Sequence, residues 1–260
     1  MCANTCKPEE YTSSRLYNSY FSSFMIVEAD TAELRDICCR LRHQVYCVEN
    51  AFEDSAGDGG DLESDVYDDF AVHALVLHRP TGMAAGTVRL ILPGAKVDPP
   101  LPFFGAYEQP INDNDLAFPA AHTAEISRFA ISKKFRQSAR LSEIRAAKTS
   151  VAGTADEPTL QDVDAVTLAL IRAFVGLASQ NDIQFFCAMM GKALLRRVAR
   201  LGIHFDRIGD DVEYHCRRQP SAINVLVMLD RVRQEREDVW QFITDSGAYT
   251  SAFSKLLAAE

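Results

Sequence analysis

The chain has 260 residues, of which 47% are hydrophobic and 24% are charged, a composition typical of a soluble globular protein. Its formal net charge is −9, from 36 acidic and 27 basic residues. A nucleic-acid-binding protein that works through a general basic surface is therefore not expected, because no positive excess exists to displace counterions from phosphates. The same deficit argues against membrane attachment through a net positive charge.

Cysteine and histidine spacing predicts no metal site. The seven cysteines form an odd, scattered set without paired metal-knuckle spacing, and the six histidines show no two-histidine helical motif. The opening residues lack the apolar core of a secretory signal, and no stretch approaches the roughly 20 apolar residues that a membrane-spanning helix needs. We therefore expect a cytoplasmic protein with reduced thiols, no metal, no other cofactor and no transmembrane segment.

The first predicted element is a helix over residues 30–48, where Asp30 and Thr31 are plausible caps and the apolar residues follow a helical period. Residues 50–66 are rich in Gly, Asp and Ser and are predicted to form a loop. Nine acids and no base lie between Glu49 and Asp69, and the rest of the chain then holds 27 acids and 27 bases. Such an acidic run usually indicates a solvated loop.

A hairpin follows, because two β-prone runs, Phe70–His78 and Met83–Leu92, are joined by a segment that contains Pro80 and Gly82. Residues 93–121 are predicted to be a long irregular loop. The later predicted elements are a strand over Thr123–Ser132, a helix over 161–179, a strand over 182–190, a basic helix over 192–201, short strands over 205–208 and 212–216, and a stretch over 223–244 that could begin as a strand and is otherwise helical.

This order predicts one α/β (α+β) domain over residues 1–260. We expect a mixed, mostly antiparallel central sheet with helices on both sides. Residues 1–24 are expected to be an N-terminal extension that is helical over about 8–24.

One series of residues carries a family resemblance. Arg42, Tyr46 and Phe52 are followed by Asp65-Val-Tyr-Asp68, then by Gly86-Thr-Val-Arg89-Leu, and then by Glu125-Ile-Ser127-Arg128-Phe. In order and local spacing this series resembles the N-acyl-homoserine-lactone synthases, which share the GNAT acetyltransferase fold. The surrounding residues are more similar still to the PEP-CTERM/exosortase-associated acyltransferases, relatives of the N-acyl amino acid synthases. The similar segments run from about residue 41 to 136.

The resemblance implies a GNAT-like N-acyltransferase. Such an enzyme would move a fatty acyl group from acyl carrier protein to the amine of an amino-acid-like acceptor. Phe52 stands where the homoserine-lactone synthases usually have a tryptophan, which argues against S-adenosylmethionine as the acceptor. The alternatives are an N-acyl-homoserine-lactone (autoinducer) synthase and a non-catalytic acyl-ligand-binding module on the same fold.

Glu125 and Ser127 are the predicted catalytic residues. Attack of an amine on a thioester needs a group that accepts a proton and a group that stabilises the developing oxyanion. These two residues lie two apart on a predicted strand, so their side chains share a face. Arg128 would face the other way unless a bulge reorients it.

The remaining residues of the series have two interpretations. They could bind substrate, or they could form a buried ion-pair network that ties the acidic loop to the sheet. Phe129 and Ile131, further along the same strand, are predicted to pack in the core or to line an acyl/pantetheine channel. The residues with these two interpretations are Arg42, Phe52, Asp65, Asp68, Arg89 and Arg128.

The donor is predicted from the segment after this strand. GNAT enzymes that use CoA normally carry Gln/Arg-x-x-Gly-x-Gly/Ala there, and its backbone amides cradle the pyrophosphate. Here residues 136–141 read Arg-Gln-Ser-Ala-Arg-Leu, without the glycine that allows close backbone approach. An acyl-phosphopantetheine thioester on acyl carrier protein has no nucleotide pyrophosphate and needs no such cradle.

Carrier proteins are acidic, so a basic docking surface is expected. Two segments could supply it, although a merely solvated helix face is the alternative. The predicted docking residues are Lys133, Lys134 and Arg136 after the strand, and Lys192, Arg196, Arg197 and Arg200 on the basic helix.

Overall fold

The computed structural model describes residues 20–50, 60–94, 103, 119–137, 162–213 and 217–257. In this part of the chain, eight strands form one sheet in the order β1-β2-β3-β4-β5-β8-β6, with β7 paired to β8. Every neighbouring pair is antiparallel except β4 and β5, which are parallel. The strands are β1 (Phe24–Glu28), β2 (Ala71–His78), β3 (Ala84–Ile91), β4 (Thr123–Ile131), β5 (Phe185–Met190), β6 (Asp206–Arg207), β7 (Val212–Glu213) and β8 (Arg217–Asn224).

Helices cover both faces of the sheet, which confirms the predicted fold class. The first helix begins where the Thr31 hydroxyl accepts a hydrogen bond from the Leu34 N–H, as an N-cap should. The helices are α1 (Ala32–His43), which continues as a π-helix (Gln44–Glu49), a 3₁₀ helix (Val66–Phe70), α2 (Asp162–Gln180), α3 (Lys192–Ala199), α4 (Val225–Glu235), α5 (Glu237–Ile243) and α6 (Thr250–Leu257).

Two hydrophobic clusters follow from the alternation of the central strands. Val88 and Leu90 of β3 pack with α2 in the main core. Leu75 of β2 points to the opposite face and packs with Cys38 and Leu41 of α1. Because successive side chains of a strand point to opposite faces, the sheet separates an α2 face from an α1 face.

The parallel strands β4 and β5 separate towards their carboxyl ends. They pair only where Thr123–Glu125 lies opposite Phe185–Cys187. Beyond this point β4 continues with β3 as its partner and β5 continues with β8. Backbone polar groups on the two facing edges are therefore placed where a bound molecule could use them.

A β-bulge reorients Arg128. The β3–β4 register passes from Thr87 opposite Ala130 to Arg89 opposite Ser127, so β4 has one residue more than β3 in this interval. Arg128 has φ +49, in the left-handed region. The extra residue turns Arg128 to the face of Ser127, which is the exception that the sequence analysis allowed.

Two strands differ from the sequence prediction. Residues 20–23 are helical, but Phe24 begins β1, and Tyr20 and Phe24 belong to the main core. The helical part of the expected extension therefore ends at residue 23, where β1 follows, and residues 1–19 lie outside the described part of the chain. The strand β8 begins at Arg217, six residues before the possible strand predicted from residue 223, and it includes Pro220, which lacks the N–H that a central strand normally donates.

The remaining predicted elements are confirmed with shifted ends. The stretch over 223–244 contains the end of β8 followed by α4 and α5. Most of the predicted loop over 93–121 lies outside the described residues, as does Phe52.

Candidate active site

Arg42, at the end of α1, is completely buried and is held by two carboxylates. Its Nε donates to Glu63, while Nη1 and Nη2 donate to the two oxygens of Asp68 at 2.6 and 3.1 Å. Burial works against the charge of the guanidinium, but hydrogen bonds from Arg42 to Asp68 and Glu63 outweigh it and raise the pKa of Arg42. Arg42 is therefore a permanent buried cation.

Arg89, on β3, extends this network towards β4. It binds Asp65 in a bidentate manner, with Nη1 and Nη2 at 2.6 and 3.0 Å from the two carboxylate oxygens. Nη1 also donates to Asp68 at 2.8 Å, and Nε donates to the Ser127 hydroxyl oxygen at 2.9 Å. Such bidentate pairing fixes the orientation of both side chains and stabilises their charged forms.

Arg128 closes the network from the bulge. Its Nε lies 3.0 Å from Glu63 Oε1 and its Nη2 lies 3.1 Å from Asp65 Oδ2, while its guanidinium lies 5.6 Å from the Tyr46 ring centroid. Three guanidinium groups thus meet three carboxylates. Burial opposes ionisation of Asp65, Asp68 and Glu63, but the arginines outweigh it and hold each pKa below its usual range.

The backbone around Asp65 explains why two aspartates three residues apart serve this network. Asp65 caps the 3₁₀ helix by accepting from the Tyr67 N–H at 2.9 Å, and Asp68 accepts from the Asp65 N–H at 2.8 Å. This capping box fixes both carboxylates before they meet the arginines. Arg42, Asp65, Asp68, Arg89 and Arg128 thus belong to one ion-pair network, and the expectation of a solvated loop does not hold for Glu63, Asp65 and Asp68.

Glu125 lies beside the network but is not paired in the same way. Its side chain is buried on β4, and its Oε2 accepts a hydrogen bond from the Phe103 N–H at 2.8 Å. Burial raises the pKa of Glu125 to about 7, although the Phe103 N–H and the charges of Arg89 and Arg128 act in the opposite direction. A carboxyl group with such a pKa can both accept and release a proton near neutral pH.

A cavity opens at the point where β4 and β5 separate, and it reaches both faces of the sheet. On the α1 face its wall is polar apart from Met189, and on the α2 face it is apolar. The polar residues are Tyr46, Asp65, Tyr67, Arg89, Glu125, Ser127, Arg128 and Arg218; the apolar residues are Ile126, Phe129, Ile171, Phe174, Ala188, Met189, Met190, Leu194, Val198, Ile203 and Phe205.

The predicted site residues divide into three groups. Six of them line the cavity. Arg42 and Asp68 do not line it but contact the lining residues through the ion-pair network. Ile131 packs against the main core and is not among the lining residues, so the structure gives no support to its placement in a channel. The six that line the cavity are Asp65, Arg89, Glu125, Ser127, Arg128 and Phe129.

Among the described residues, four polar residues of the site had no predicted role, and neither had the apolar lining residues other than Phe129. Glu63 belongs to the acidic run and Tyr67 lies between the two aspartates, so the motif itself could have indicated both. Tyr46 was noted only as part of the series. Arg218 had no sequence signal, because nothing in its neighbourhood marks it as part of a cavity wall.

The two basic segments lie at one edge of the sheet. Residues 133–137 are helical and follow β4, and α3 follows β5. Because β4 and β5 are parallel, both segments begin at the edge towards which the strands separate. Lys134, Lys192, Arg196 and Arg200 are exposed, and Lys192 lies 3.3 Å from Asp211. Lys133 is half-buried and donates from Nζ to the Glu49 carbonyl at 2.8 Å.

In the described ranges, no group of three or more His, Cys, Asp or Glu side chains could hold a metal ion. No helix in the same ranges is long and apolar enough to cross a membrane.

Comparisons with known proteins agree with this architecture. Residues 41–145 match an acetyltransferase (GNAT) domain, so the predictions of a GNAT fold and, at the level of this domain, of an acyltransferase enzyme are confirmed. No curated protein sequence matches the chain.

Solved structures with the same fold include two acyl synthases. FeeM, an N-acyl amino acid synthase from uncultured soil microbes, has a TM-score of 0.52 at 16% identity, over 80% of this chain and 93% of FeeM. MesI, a CoA-dependent acyl-homoserine lactone synthase, has a TM-score of 0.52 at 16% identity, over 82% of this chain and 95% of MesI. TofI, solved in a ternary complex with an inhibitor and MTA, has a TM-score of 0.52 at 20% identity, over 81% of this chain and 96% of TofI.

Proposed function

We propose that this protein is an N-acyltransferase that moves a fatty acyl group from a phosphopantetheine thioester on acyl carrier protein to the amine of an amino-acid-like acceptor. The observation that carries this proposal is Glu125, a buried carboxyl group with a pKa of about 7 at the wall of a cavity. The cavity is charged on one face of the sheet and apolar on the other, which suits the joining of a polar amine to a fatty chain.

Glu125 is the general base of this reaction. Its ionised carboxylate accepts a proton from the acceptor's nitrogen, and the nitrogen attacks the carbonyl carbon of the thioester. A C–N bond forms and the C–S bond breaks. The departing sulfur takes this proton from Glu125 and leaves as the free pantetheine thiol, so the products are an amide and a thiol and Glu125 is ionised again. A base with a pKa near the working pH combines the correct protonation state with a sufficient driving force.

Ser127 stabilises the oxyanion that develops on the thioester oxygen. Its Oγ accepts a hydrogen bond from Arg89 Nε at 2.9 Å, which leaves the hydroxyl proton to be donated into the cavity. Arg89 is itself held by Asp65 and Asp68, so the serine hydroxyl is oriented before the substrate arrives. Preorganised donors of this kind stabilise transition-state charge without reorganisation.

The fatty chain occupies the apolar part of the cavity. Phe129 on β4, Met190 on β5, Phe174 on α2 and Leu194 on α3 contribute to this wall from four different elements. Each methylene buried there contributes about 0.8 kcal/mol. The charged network on the other face is unfavourable for the fatty chain, so the polar acceptor binds on that face.

The donor argument rests on the segment after β4. The N–H groups of Lys133 and Lys134 donate to the Glu49 carboxylate at 3.1 and 3.4 Å, and the Phe135 N–H donates to the Ser132 hydroxyl at 3.1 Å. A nucleotide pyrophosphate would have to displace Glu49 to reach these amides. This occupation supports a carrier-protein donor over CoA, as does the lack of glycine in residues 136–141.

Acyl carrier protein docks on the edge that presents the two basic segments. The exposed Arg196 and Arg200 are four residues apart on α3, and Leu194 and Val198 of the same helix line the cavity. Charge reversal at both arginines (R196E/R200E) should raise the apparent KM for acyl carrier protein and leave a short acyl-pantetheine unaffected. Reversal of the exposed Arg40, on α1 across the sheet, is the matched control. An equal KM for carrier protein in both variants contradicts this docking surface.

The function is tested by organic extraction of cells that overexpress the protein, followed by mass spectrometry for new N-acyl amines. We expect N-acyl amino acids in cells with the wild-type protein and none with E125Q. Acyl-homoserine lactones would instead identify an autoinducer synthase, and the absence of any new acyl amine would identify a binding module.

We also propose a cytoplasmic location, where acyl carrier proteins are loaded. Fractionation of cells followed by immunoblotting tests this location.

We further propose a role beside a PEP-CTERM/exosortase system. This proposal is supported by the similarity of residues 41–136 to acyltransferases of that system. Deletion of the gene in a cell that sorts PEP-CTERM proteins tests the role.

A further inference from the structure

Arg218 lines the cavity from β8 and has no part in the steps described above. We infer that its guanidinium binds the carboxylate of the acceptor, so that the enzyme selects amines that carry a carboxylate over neutral amines. This inference rests on the proposed function, because it names a specificity-determining residue of the same site.

The sheet register places Arg218 on the face of Glu125. Ala222 of β8 lies opposite Cys187 of β5, and both pack with Ile91 and Phe103 in a third hydrophobic cluster; Glu125 shares this face because it lies opposite Ile91 and Cys187. Ile223, one residue later, packs in the main core on the α2 face. Side chains alternate along a strand, so Arg218, four residues before Ala222, points to the same face as Ala222.

Gly191 shows where the guanidinium lies. Its φ is −76, a value that any residue adopts, so the backbone does not require glycine at this position. A Cβ at Gly191 would lie 3.1 Å from Arg218 Nη1, a tight contact. The guanidinium therefore reaches over the end of β5, at the open end of the separation between β4 and β5. Glu125 and Ser127 line the same cavity from β4, across that separation.

The cavity wall presents guanidinium groups that an anion can contact. Among the described residues these are Arg89, Arg128 and Arg218. Arg89 and Arg128 are already paired with Asp65, Asp68 and Glu63, whereas Arg218 reaches the wall from the other side of the separation between β4 and β5. A carboxylate that enters this wall gains charge-assisted hydrogen bonds, and the planar fork of arginine matches its geometry.

The two anchors define the class of acceptor. A molecule with an amine at Glu125 and a carboxylate at Arg218 is bound at both ends, as an amino acid would be. The phosphodiester of the phosphopantetheine donor is another source of an anion, and kinetics separate the two. Loss of Arg218 raises the KM of the acceptor if the anion is the acceptor's carboxylate, and the KM of the donor if it is the phosphodiester.

The test compares wild type, Arg218→Ala, Arg218→Lys and Gly191→Ala, with an acyl carrier protein thioester as donor. The acceptors are the twenty amino acids and their C-terminal amides, each pair identical except for the carboxylate. Arg217→Ala is the matched control, since Arg217 is the neighbouring arginine, is exposed and pairs with Asp211 at 2.9 Å. Circular dichroism of each variant shows that it is folded.

We expect wild type to prefer the acids over the amides, and Arg218→Ala to lose this preference through an acceptor KM raised on the order of 10- to 100-fold, the usual weight of a hydrogen bond to a charged group. Arg218→Lys should keep part of the preference. Gly191→Ala, which displaces the guanidinium by a few tenths of an ångström, should raise the acceptor KM less. Arg217→Ala should behave as wild type.

Three outcomes overturn the inference. Equal use of acids and amides by wild type, or an unchanged preference in Arg218→Ala, removes the carboxylate contact while acyl transfer stands. A raised donor KM with an unchanged acceptor KM assigns Arg218 to the donor's phosphodiester. Acylation of no amine at all by wild type removes the proposed function, and the inference with it.

Discussion

Glu125 and Asp65 face the same cavity, and their carboxyl groups have opposite properties. Arg89 and Arg128 hold Asp65 ionised, with its pKa lowered. Glu125 is more deeply buried and accepts one hydrogen bond from a backbone N–H, and burial raises its pKa to about 7. The difference shows that burial alone does not set the charge of a carboxyl group. Where no guanidinium directly contacts a buried carboxyl group, desolvation determines its pKa. Where an arginine pairs with the carboxyl group, the arginine determines it.

The same contrast separates structural from chemical roles. The pKa values of the network carboxylates are lowered, so these groups are ionised near neutral pH, where they are poor proton acceptors and good partners for arginine. Glu125 changes its charge near neutral pH. Pairs of titratable groups whose environments move their pKa values apart are a common arrangement in acid–base catalysis.

Replacement of Glu125 by Gln should have the largest effect on activity. The amide is nearly isosteric and can still accept the hydrogen bond from the Phe103 N–H, but it cannot take up a proton. We expect kcat to fall about 10²- to 10⁴-fold. The measurement is steady-state turnover, with circular dichroism to show that the variant is folded. Full activity in a folded variant would remove Glu125 from catalysis.

The stability of the E125Q variant tests the cause of the raised pKa. The folded protein holds the Glu125 proton up to pH of about 7, whereas the unfolded chain releases it near 4.5. The contribution of Glu125 to the free energy of unfolding therefore falls as pH rises from 4.5 to 7, by about 3 kcal/mol. E125Q lacks this fall, so it should equal wild type at pH 4.5 and be the more stable protein at pH 8 in chemical denaturation.

Replacement of Arg42 by Ala should destabilise the protein by about 3–5 kcal/mol, because it leaves Glu63 and Asp68 buried without their cation. Arg40→Ala, an exposed position on the same helix, is the control and should change stability little. Thermal unfolding of both variants is the measurement. An unchanged melting temperature in Arg42→Ala would mean that Arg42 serves the substrate and not the fold.

The pH profile of the wild-type enzyme should reveal Glu125 alone. Because the base must be deprotonated, kcat/KM should rise about tenfold for each pH unit below 7 and lose this dependence above it. The network carboxylates, with lowered pKa values, stabilise the fold above their usual values near 4, and that stability is lost as pH falls further. A profile without a step near pH 7 for wild type, or with the same step in E125Q, contradicts this assignment.

Replacement of Glu49 by Ala should have the smallest effect. It frees the N–H groups of Lys133 and Lys134, so kcat/KM with acyl-CoA should rise about two- to fivefold, the usual weight of an anion near such amides. Acyl-pantetheine, which has no pyrophosphate, should be used as before. Glu49→Gln keeps the hydrogen bonds and should gain less. No change with acyl-CoA would remove Glu49 as a barrier to that donor.

Alternation and motif order accounted for much of the fold and part of the site. The hairpin of β2 and β3, the strand β4 and the helix α2 follow from local periodicity, which is a property of consecutive residues. β1 was not predicted because a helical extension was expected to run to residue 24, and only the end of β8 was predicted, since its residues before 223 include Pro220, which is unfavourable in a strand. Glu125 and Ser127 were expected on one face because two residues of spacing on a strand leave no other arrangement.

The tertiary structure decided the rest. Whether Arg128 faces Glu63 depends on a bulge that only the pairing of β3 with β4 creates, and Arg218 joins the cavity only because β8 returns beside β5. The identity of Glu125 as a glutamate is written in the chain, but its pKa depends on what surrounds it after folding. The residue types and their local spacing are therefore sequence properties. The charge state of Glu125, the orientation of Arg128 and the shape of the cavity arise from contacts between segments far apart in the chain.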